Sequence, residues 1–72
     1  MTNRDVARAW ARGVAAKAGN LKTDGGNLWS YDLLIGTVEH GRKIVLDYTS
    51  GGALGFISQT TSKHVGLAKR AI

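Results

Sequence analysis

The apolar residues near the start of the chain recur every four residues, as they do in a helix with one buried face. Val6, Trp10 and Val14 have this spacing, which places them on one side at about 100° per residue. Gly19 follows as a typical C-terminal stop for a helix. The pattern therefore predicts a helix over residues 3–18 whose Trp10 face packs against a sheet.

The middle of the chain holds short runs rich in branched residues and separated by turn residues, which is typical of β-strands. Residues 33–39 and 43–49 form the best strands, and a link of hairpin length joins them. A tight reversal at Asp24-Gly25 favours a further short hairpin between residues 21–23 and 28–31. The sequence thus predicts consecutive antiparallel strands.

The end of the chain predicts a second helix after a flexible loop. Residues 50–55 hold three glycines and form this loop, and residues 56–59 can add an edge strand. The closing helix is expected to begin at about Thr61 or Ser62. The predicted order is a helix, a meander of three or four antiparallel strands and a second helix, an α+β fold with one small domain over residues 1–72.

The length of the chain limits its stability. Seventy-two residues bury only about 60% of the surface that the unfolded chain exposes. The sequence has no cysteine, so no disulfide or thiolate metal site can add stability, and two histidines alone make a poor zinc site. Small domains of this kind often rely on a second subunit. We therefore expect a homo-oligomer, with a dimer as the first expectation, and no metal or cofactor.

Positive charge is concentrated at the two ends of the chain, and the net charge is +5. Residues 1–22 hold five bases and one acid, and residues 63–72 hold three bases and no acid. Residues 23–62 hold two bases and four acids. Such asymmetry indicates an acidic partner, most often nucleic acid. The alternative is a solvated basic surface that keeps a small protein in solution.

Seven side chains on the two predicted helices form the candidate contact surface for nucleic acid. They are Arg4, Arg8, Arg12, Lys63, His64, Lys69 and Arg70. The three residues of the first helix lie four apart, opposite its apolar stripe, and the planar fork of arginine suits phosphate oxygens. Binding through backbone phosphates would be strongly dependent on salt. A solvated helix face explains the same row about equally well.

The residues just before the last helix are unusually rich in hydroxyl groups. Thr60, Thr61 and Ser62 surround the predicted helix start, where unpaired backbone N–H groups attract anions. These three residues are therefore candidates for contact with an anion or with a carboxylate of a partner. A helix cap, which needs only one hydroxyl, is the simpler explanation.

Two aromatic residues lie close to the basic segments. Trp29 and Tyr31 are two apart, so they share a face if residues 28–31 form a strand. Aromatic side chains beside a cationic track can stack the bases of a single strand. Core packing is nevertheless the favoured use of both residues, because the chain has only five aromatic residues.

No motif in the sequence indicates an enzyme. A nucleophile needs a base within hydrogen-bond reach, and no local signature joins His40 or His64 to a serine or an aspartate. The glycine-rich segments lack the strand, the helix and the lysine of a phosphate loop. We therefore expect a non-enzymatic protein with no catalytic residue.

Three separated pieces of the sequence follow one pattern over residues 20–65. They are Asn20-x-x-Thr23-Asp24-Gly25-x-x-Leu28-x-Ser30-Tyr31, Leu34-Ile35-Gly36 and Ser58-x-Thr60-Thr61-Ser62-Lys63-His64. This combination resembles a small domain found in uncharacterised bacteriophage and environmental viral proteins. The resemblance implies a viral origin and the cytoplasm of a bacterial host as the working compartment. It transfers no catalytic or binding residues.

The sequence leaves two main hypotheses about function. The first is a basic, non-enzymatic protein that contacts nucleic acid through backbone phosphates. The second is a viral accessory protein that binds a host protein and inhibits or adapts it; a minor structural component of a virus particle is a third possibility. No apolar run approaches the length of a membrane span, so a membrane partner is not expected.

Overall fold

A computed structural model describes residues 1–49, 51–52 and 54–72 of the chain. Its elements follow in the order α1 (Asn3–Ala11), β1 (Ala15–Ala18), β2 (Leu21–Asp24), β3 (Leu28–Ser30), β4 (Leu33–Glu39), β5 (Arg42–Val45) and α2 (Gln59–Ala71). The strands form one antiparallel sheet in chain order. The predicted α+β fold of helix, meander and helix is confirmed, with five strands instead of three or four.

The first helix is shorter than its apolar pattern predicts. It ends at Ala11, and the residues that were expected to continue it form strand β1. Gly13 lies at φ +77°, a conformation that stops a helix and that L-residues with a side chain rarely adopt. Because the chain reverses there, Val14 is exposed instead of lying beneath the helix.

The β2–β3 hairpin forms around the reversal that the sequence predicts. The side chain of Asp24 accepts hydrogen bonds from the backbone N–H groups of Gly26, at 2.9 Å, and Asn27, at 2.8 Å. Gly25 has φ +99°, and a Cβ atom at this position would lie 2.7 Å from the carbonyl oxygen of Gly13. The two turns therefore pack backbone to backbone, and this contact requires glycine at position 25.

The segment between β5 and α2 differs from its prediction. Strand β5 ends at Val45, and residues 56–59 form no strand. Helix α2 begins at Gln59, because the side chain of Ser58 accepts a hydrogen bond from the backbone of Thr61 and caps the helix. Ser50 and Ala53, which belong to the predicted loop 50–55, lie outside the described residues.

One hydrophobic core joins the two helices to one face of the sheet. Its fully buried residues are Val6, Trp10, Leu21, Leu28, Ile35, Val65 and Ala68. Trp10 is the largest of them, and its indole N–H donates to the carbonyl oxygen of Gly26 at 2.8 Å. The Nζ atom of Lys43 lies 5.3 Å from the Trp10 ring centroid and covers it with a cation–π contact. Neither of the two helices in the described residues lies on the opposite face of the sheet, which we call the open face.

Replacing Gly36 by alanine is expected to destabilise the protein by about 1–3 kcal/mol, the usual effect of overpacking a core. A Cβ atom at this position would lie 2.8 Å from Cζ2 of Trp10 and 3.1 Å from Cβ of Leu28. Urea denaturation measures the change. Alanine at Gly26, where the nearest atom would be 3.6 Å away, is the control and should cost less. Equal losses in the two variants would contradict the close packing of Gly36 under Trp10.

Candidate nucleic-acid interface

Helices α1 and α2 lie side by side, and a groove between them is lined mainly by arginine. The cavity measures about 270 Å³, and its lining residues are Arg4, Arg8, Leu67, Arg70 and Ala71. The two arginines of α1 are four residues apart and therefore lie on one stripe of the helix. Packing of the helices adds an arginine that is more than sixty residues away in sequence. We call the surface formed by Arg4, Arg8 and Arg70 the arginine groove.

None of the three arginines of the groove forms an ion pair with a carboxylate within 4.0 Å among the residues that the structure describes. The two contacts between acidic and basic side chains found in this part of the chain join Glu39 to His40, at 4.0 Å, and Asp47 to Lys69, at 2.7 Å. Asp5 belongs to α1, but its carboxylate accepts a hydrogen bond from the backbone of Thr2 at 2.9 Å. The contacts with Thr2 and, more weakly, the charge of Arg8 lower the pKa of Asp5, so this acid stays ionised at the helix cap. Three guanidinium groups that share one groove repel each other unless an anion occupies it.

Helix α2 provides a bare surface on which the guanidinium group of Arg70 rests. Gly66 lies one turn earlier, and a Cβ atom there would be 3.6 Å from Nη1 and 3.7 Å from Nη2 of Arg70. Arg70 therefore folds back along its own helix at the edge of the groove. Sequence reasoning missed Gly66, although a small residue four positions before an arginine was a visible signal.

Four of the predicted nucleic-acid contacts lie outside the arginine groove: the cations Arg12, Lys63 and Lys69, and the buried His64. Arg12 is the C-terminal cap residue of α1 and is exposed, and Lys63 is exposed on α2. Lys69 donates to Asp47 at 2.7 Å, and this contact lowers the pKa of the Asp47 carboxyl. The structure therefore brings together only part of the predicted basic surface.

The predictions that His64 and Thr61 contact a partner are wrong. Both side chains are 2% exposed, because they lie on the inner stripe of α2 together with Val65 and Ala68. The spacing of these four residues along the helix, at intervals of three and four, could have revealed this from the sequence. Burial also lowers the pKa of His64, which favours the neutral imidazole.

The remaining two hydroxyl candidates lie nearer the surface. Thr60 is exposed in the first turn of α2, whereas Ser62 is half-buried and donates to the carbonyl oxygen of Tyr48 at 3.4 Å. Ser58, which was not among the candidates, supplies the helix cap. Of the predicted anion-contacting trio, only Thr60 therefore presents an exposed side chain.

A buried polar cluster connects α1, β3 and α2. The ring atom Nδ1 of His64 lies 2.7 Å from Oγ of Ser30, and that hydroxyl lies 3.2 Å from Oγ1 of Thr61. The side-chain amide nitrogen of Asn3 lies 3.3 Å from Nε2 of His64. Because an amide N–H donates, Nε2 accepts, and Nδ1–H of the neutral ring donates to Ser30.

The buried polar cluster contains a serine and a histidine, the residue types of a nucleophile and its base, but it is not accessible to a substrate. Ser30 is completely buried, so no substrate atom can reach its hydroxyl group. Every buried side-chain nitrogen and oxygen atom in the described part of the chain has a hydrogen-bond partner. The cluster therefore links the start of α1 and the start of α2 to strand β3 of the sheet.

The prediction that Trp29 and Tyr31 pack in the core is wrong for both residues. Trp29 is half-buried on the face of the sheet that carries no helix, and Lys22 Nζ lies 5.8 Å from its ring centroid. Tyr31 lies in the β3–β4 turn at φ +56° and is 49% exposed. The strand ends before Tyr31, so the two rings do not share a face.

No group of three potential metal ligands occurs among the described residues. In the same part of the chain, every helix is too short or too polar to cross a bilayer. No protein-family model matches the sequence, and no match was found among curated proteins or among solved structures.

Proposed function

We propose that this protein binds nucleic acid without catalysing a reaction, by holding backbone phosphates in the arginine groove. The observation that supports the proposal is the convergence of Arg4, Arg8 and Arg70 on one groove with no carboxylate within 4 Å in the described residues. Guanidinium groups bind phosphate oxygens through two parallel N–H donors. Arg4 and Arg8 are about 6 Å apart along the helix axis, which lets them contact neighbouring phosphates of one strand.

The groove predicts a particular dependence on salt. Three arginines that each neutralise one phosphate of a duplex give a slope of about −2.7 for log K against log salt. The affinity for a duplex of arbitrary sequence should therefore fall about fortyfold between 50 and 200 mM salt. Fluorescence anisotropy of a labelled duplex measures both quantities. A flat salt dependence would contradict phosphate binding.

Replacing Arg4 and Arg8 together by glutamine is expected to reduce the salt slope to about −1 and to weaken duplex binding at low salt about tenfold or more. The matched control replaces Arg12 and Lys63 by glutamine, because it removes the same charge from exposed sites outside the groove. The control should keep most of the affinity and most of the slope. If both double variants lose affinity equally, net charge and not the groove causes binding.

A specific observation also favours the second hypothesis, a protein partner. Leu54, Phe56 and Ile57 are each 50–54% exposed in the segment that precedes α2, next to the exposed Thr60. Neighbouring apolar side chains on a surface mark contact sites for proteins. Pull-down from a nuclease-treated bacterial lysate separates the hypotheses, since a protein partner survives that treatment and a nucleic-acid partner does not.

Self-association, a viral origin and a location in a bacterial host cytoplasm stay predictions. Strands β1 and β5 form the two edges of the sheet, and an edge strand can pair with a second copy of the chain. Sedimentation velocity across a range of protein concentrations tests the expected dimer. A single species with the mass of one chain at all concentrations would contradict it.

A further inference from the structure

The face of the sheet without helices carries a continuous row of side chains across four strands. The register pairs Lys17 with Lys22, Lys22 with Trp29, and Trp29 with Leu34. Residues directly opposite each other in an antiparallel sheet project to the same side. The neighbours of Trp29 in its own strand, Leu28 and Ser30, are fully buried on the helix side. The row therefore places two lysines and one indole ring together on the open face.

A shallow cavity of about 610 Å³ lies over part of this row. Its charged and aromatic lining consists of Lys17, Lys22, Asp24 and Trp29. Asp24 is the one acid among them, and its carboxylate accepts backbone hydrogen bonds from the β2–β3 turn, which lower its pKa. Lys17 and Lys22 thus remain available to a ligand. Lys22 Nζ lies 5.8 Å from the Trp29 ring centroid, so a base that stacks on the ring displaces this exposed ammonium group.

The chemistry of the row distinguishes between possible occupants. A second copy of the sheet placed face to face would bring four lysine ammonium groups into a shared, poorly hydrated interface, which is costly without added carboxylates. A duplex keeps its bases inside and can offer only phosphates to the row. A single strand offers both parts at once, phosphates for the lysines and an unstacked base for the indole ring.

We infer that the open sheet face binds single-stranded nucleic acid by stacking a base on Trp29, while Lys17 and Lys22 contact the flanking phosphates. This inference rests on the proposed function, since it shares nucleic acid as the partner, but it uses a different surface. The arginine groove lies between the helices, and Trp29 lies on the other side of the sheet. The two surfaces can therefore be tested independently.

The test is a titration with a short oligothymidylate, followed by anisotropy of a label and by tryptophan emission. Trp29→Ala should weaken binding about five- to 150-fold, the range for loss of one stacked base, and should leave duplex binding unchanged. Stacking should quench the emission of the wild-type protein. Trp10 is completely buried, so the quenching must arise from Trp29.

The conservative variant Trp29→Phe separates the loss of base stacking from unfolding of the protein. Trp29→Phe keeps an aromatic face, so its affinity for oligothymidylate should stay within about tenfold of wild type while the quenching disappears. Circular dichroism and the emission of Trp10 report whether each variant is folded. A folded Trp29→Ala variant that binds oligothymidylate like wild type would overturn the inference, as would quenching that persists in Trp29→Phe.

The Arg4→Gln, Arg8→Gln double variant shows whether the inference about the open sheet face fails by itself or together with the proposed function of the arginine groove. Loss of duplex binding with retained quenching by oligothymidylate supports both surfaces. Unchanged duplex binding together with a damaged Trp29→Ala variant overturns the groove and supports the sheet face. If wild type binds neither oligonucleotide at low salt, both proposals are wrong.

Discussion

Replacing Trp10 by alanine is expected to lower the free energy of unfolding by about 3–5 kcal/mol, the usual loss for a large buried aromatic residue. The ring is completely buried and joins helix α1 to the sheet. Its removal also leaves the carbonyl oxygen of Gly26 without its indole donor and Lys43 without its aromatic face. A domain of this size has about 4–11 kcal/mol of total stability, so the variant should be largely unfolded under mild denaturing conditions.

Urea denaturation followed by circular dichroism measures the loss. The matched control is Trp29→Ala, the same change on the open face of the sheet, where less apolar surface is removed from the interior. The control should lose less than half as much free energy. Equal losses in the two variants would contradict the placement of Trp10 at the centre of the core.

Replacing His64 by alanine is expected to destabilise the protein by about 2–4 kcal/mol. The change leaves a cavity and removes a hydrogen-bond partner from Ser30 and Asn3, both of which contact the imidazole ring. His40 is the control because its side chain is 88% exposed. Asparagine tolerates the φ of +53° at that position, so His40→Asn should change stability by less than about 0.5 kcal/mol.

The His64→Ala substitution should also reduce the dependence of the free energy of unfolding on pH. Burial lowers the pKa of His64 below 6.5, so the unfolded chain binds the proton first as the pH falls. The stabilising effect of the neutral ring is complete above pH 6.5 and is lost as the pH falls toward the folded pKa. The hydrogen-bond partners of the ring are neutral, and Asp5, Asp24 and Asp47, whose pKa values are lowered from 3.8, act in a more acidic range.

Denaturation at pH 7.5 and pH 5.0 tests this dependence. Wild type and His40→Asn should be less stable at pH 5.0, and His64→Ala should show a smaller difference between the two conditions. A pH dependence of the same size in all three proteins would contradict a buried, neutral His64.

The order of elements could be predicted because it depends on local patterns. The four-residue spacing of Val6 and Trp10 and the Asp24-Gly25 reversal each act within a few residues, and the structure has a helix and a hairpin there. The C-terminal end of α1 could not be predicted in the same way. It depends on the backbone contact of Gly25 with Gly13, two residues that meet only after the first hairpin has formed.

The candidate site also has features that local spacing predicts and features that depend on tertiary packing. The four-residue interval predicts that Arg4 and Arg8 share a helix face, whereas the position of Arg70 beside them requires the two helices to pack. The burial of His64 is also a result of that packing. A histidine near a helix start can face solvent or the core, and the hydroxyl of Ser30, on a distant strand, supplies the partner that makes burial possible.

By itself, the sequence determined the helix–meander–helix order and the excess of positive charge at both ends. It also determined that Arg4 and Arg8 share one face of α1. Each of these features depends on composition or on neighbours within a helical turn. Tertiary structure decided where α1 ends, which cations form one groove and which polar residues are buried. It also decided that Trp29 lies beside Lys22 on the open face. These features depend on contacts between residues far apart in the chain, whose geometry exists only when the helices and the sheet have packed.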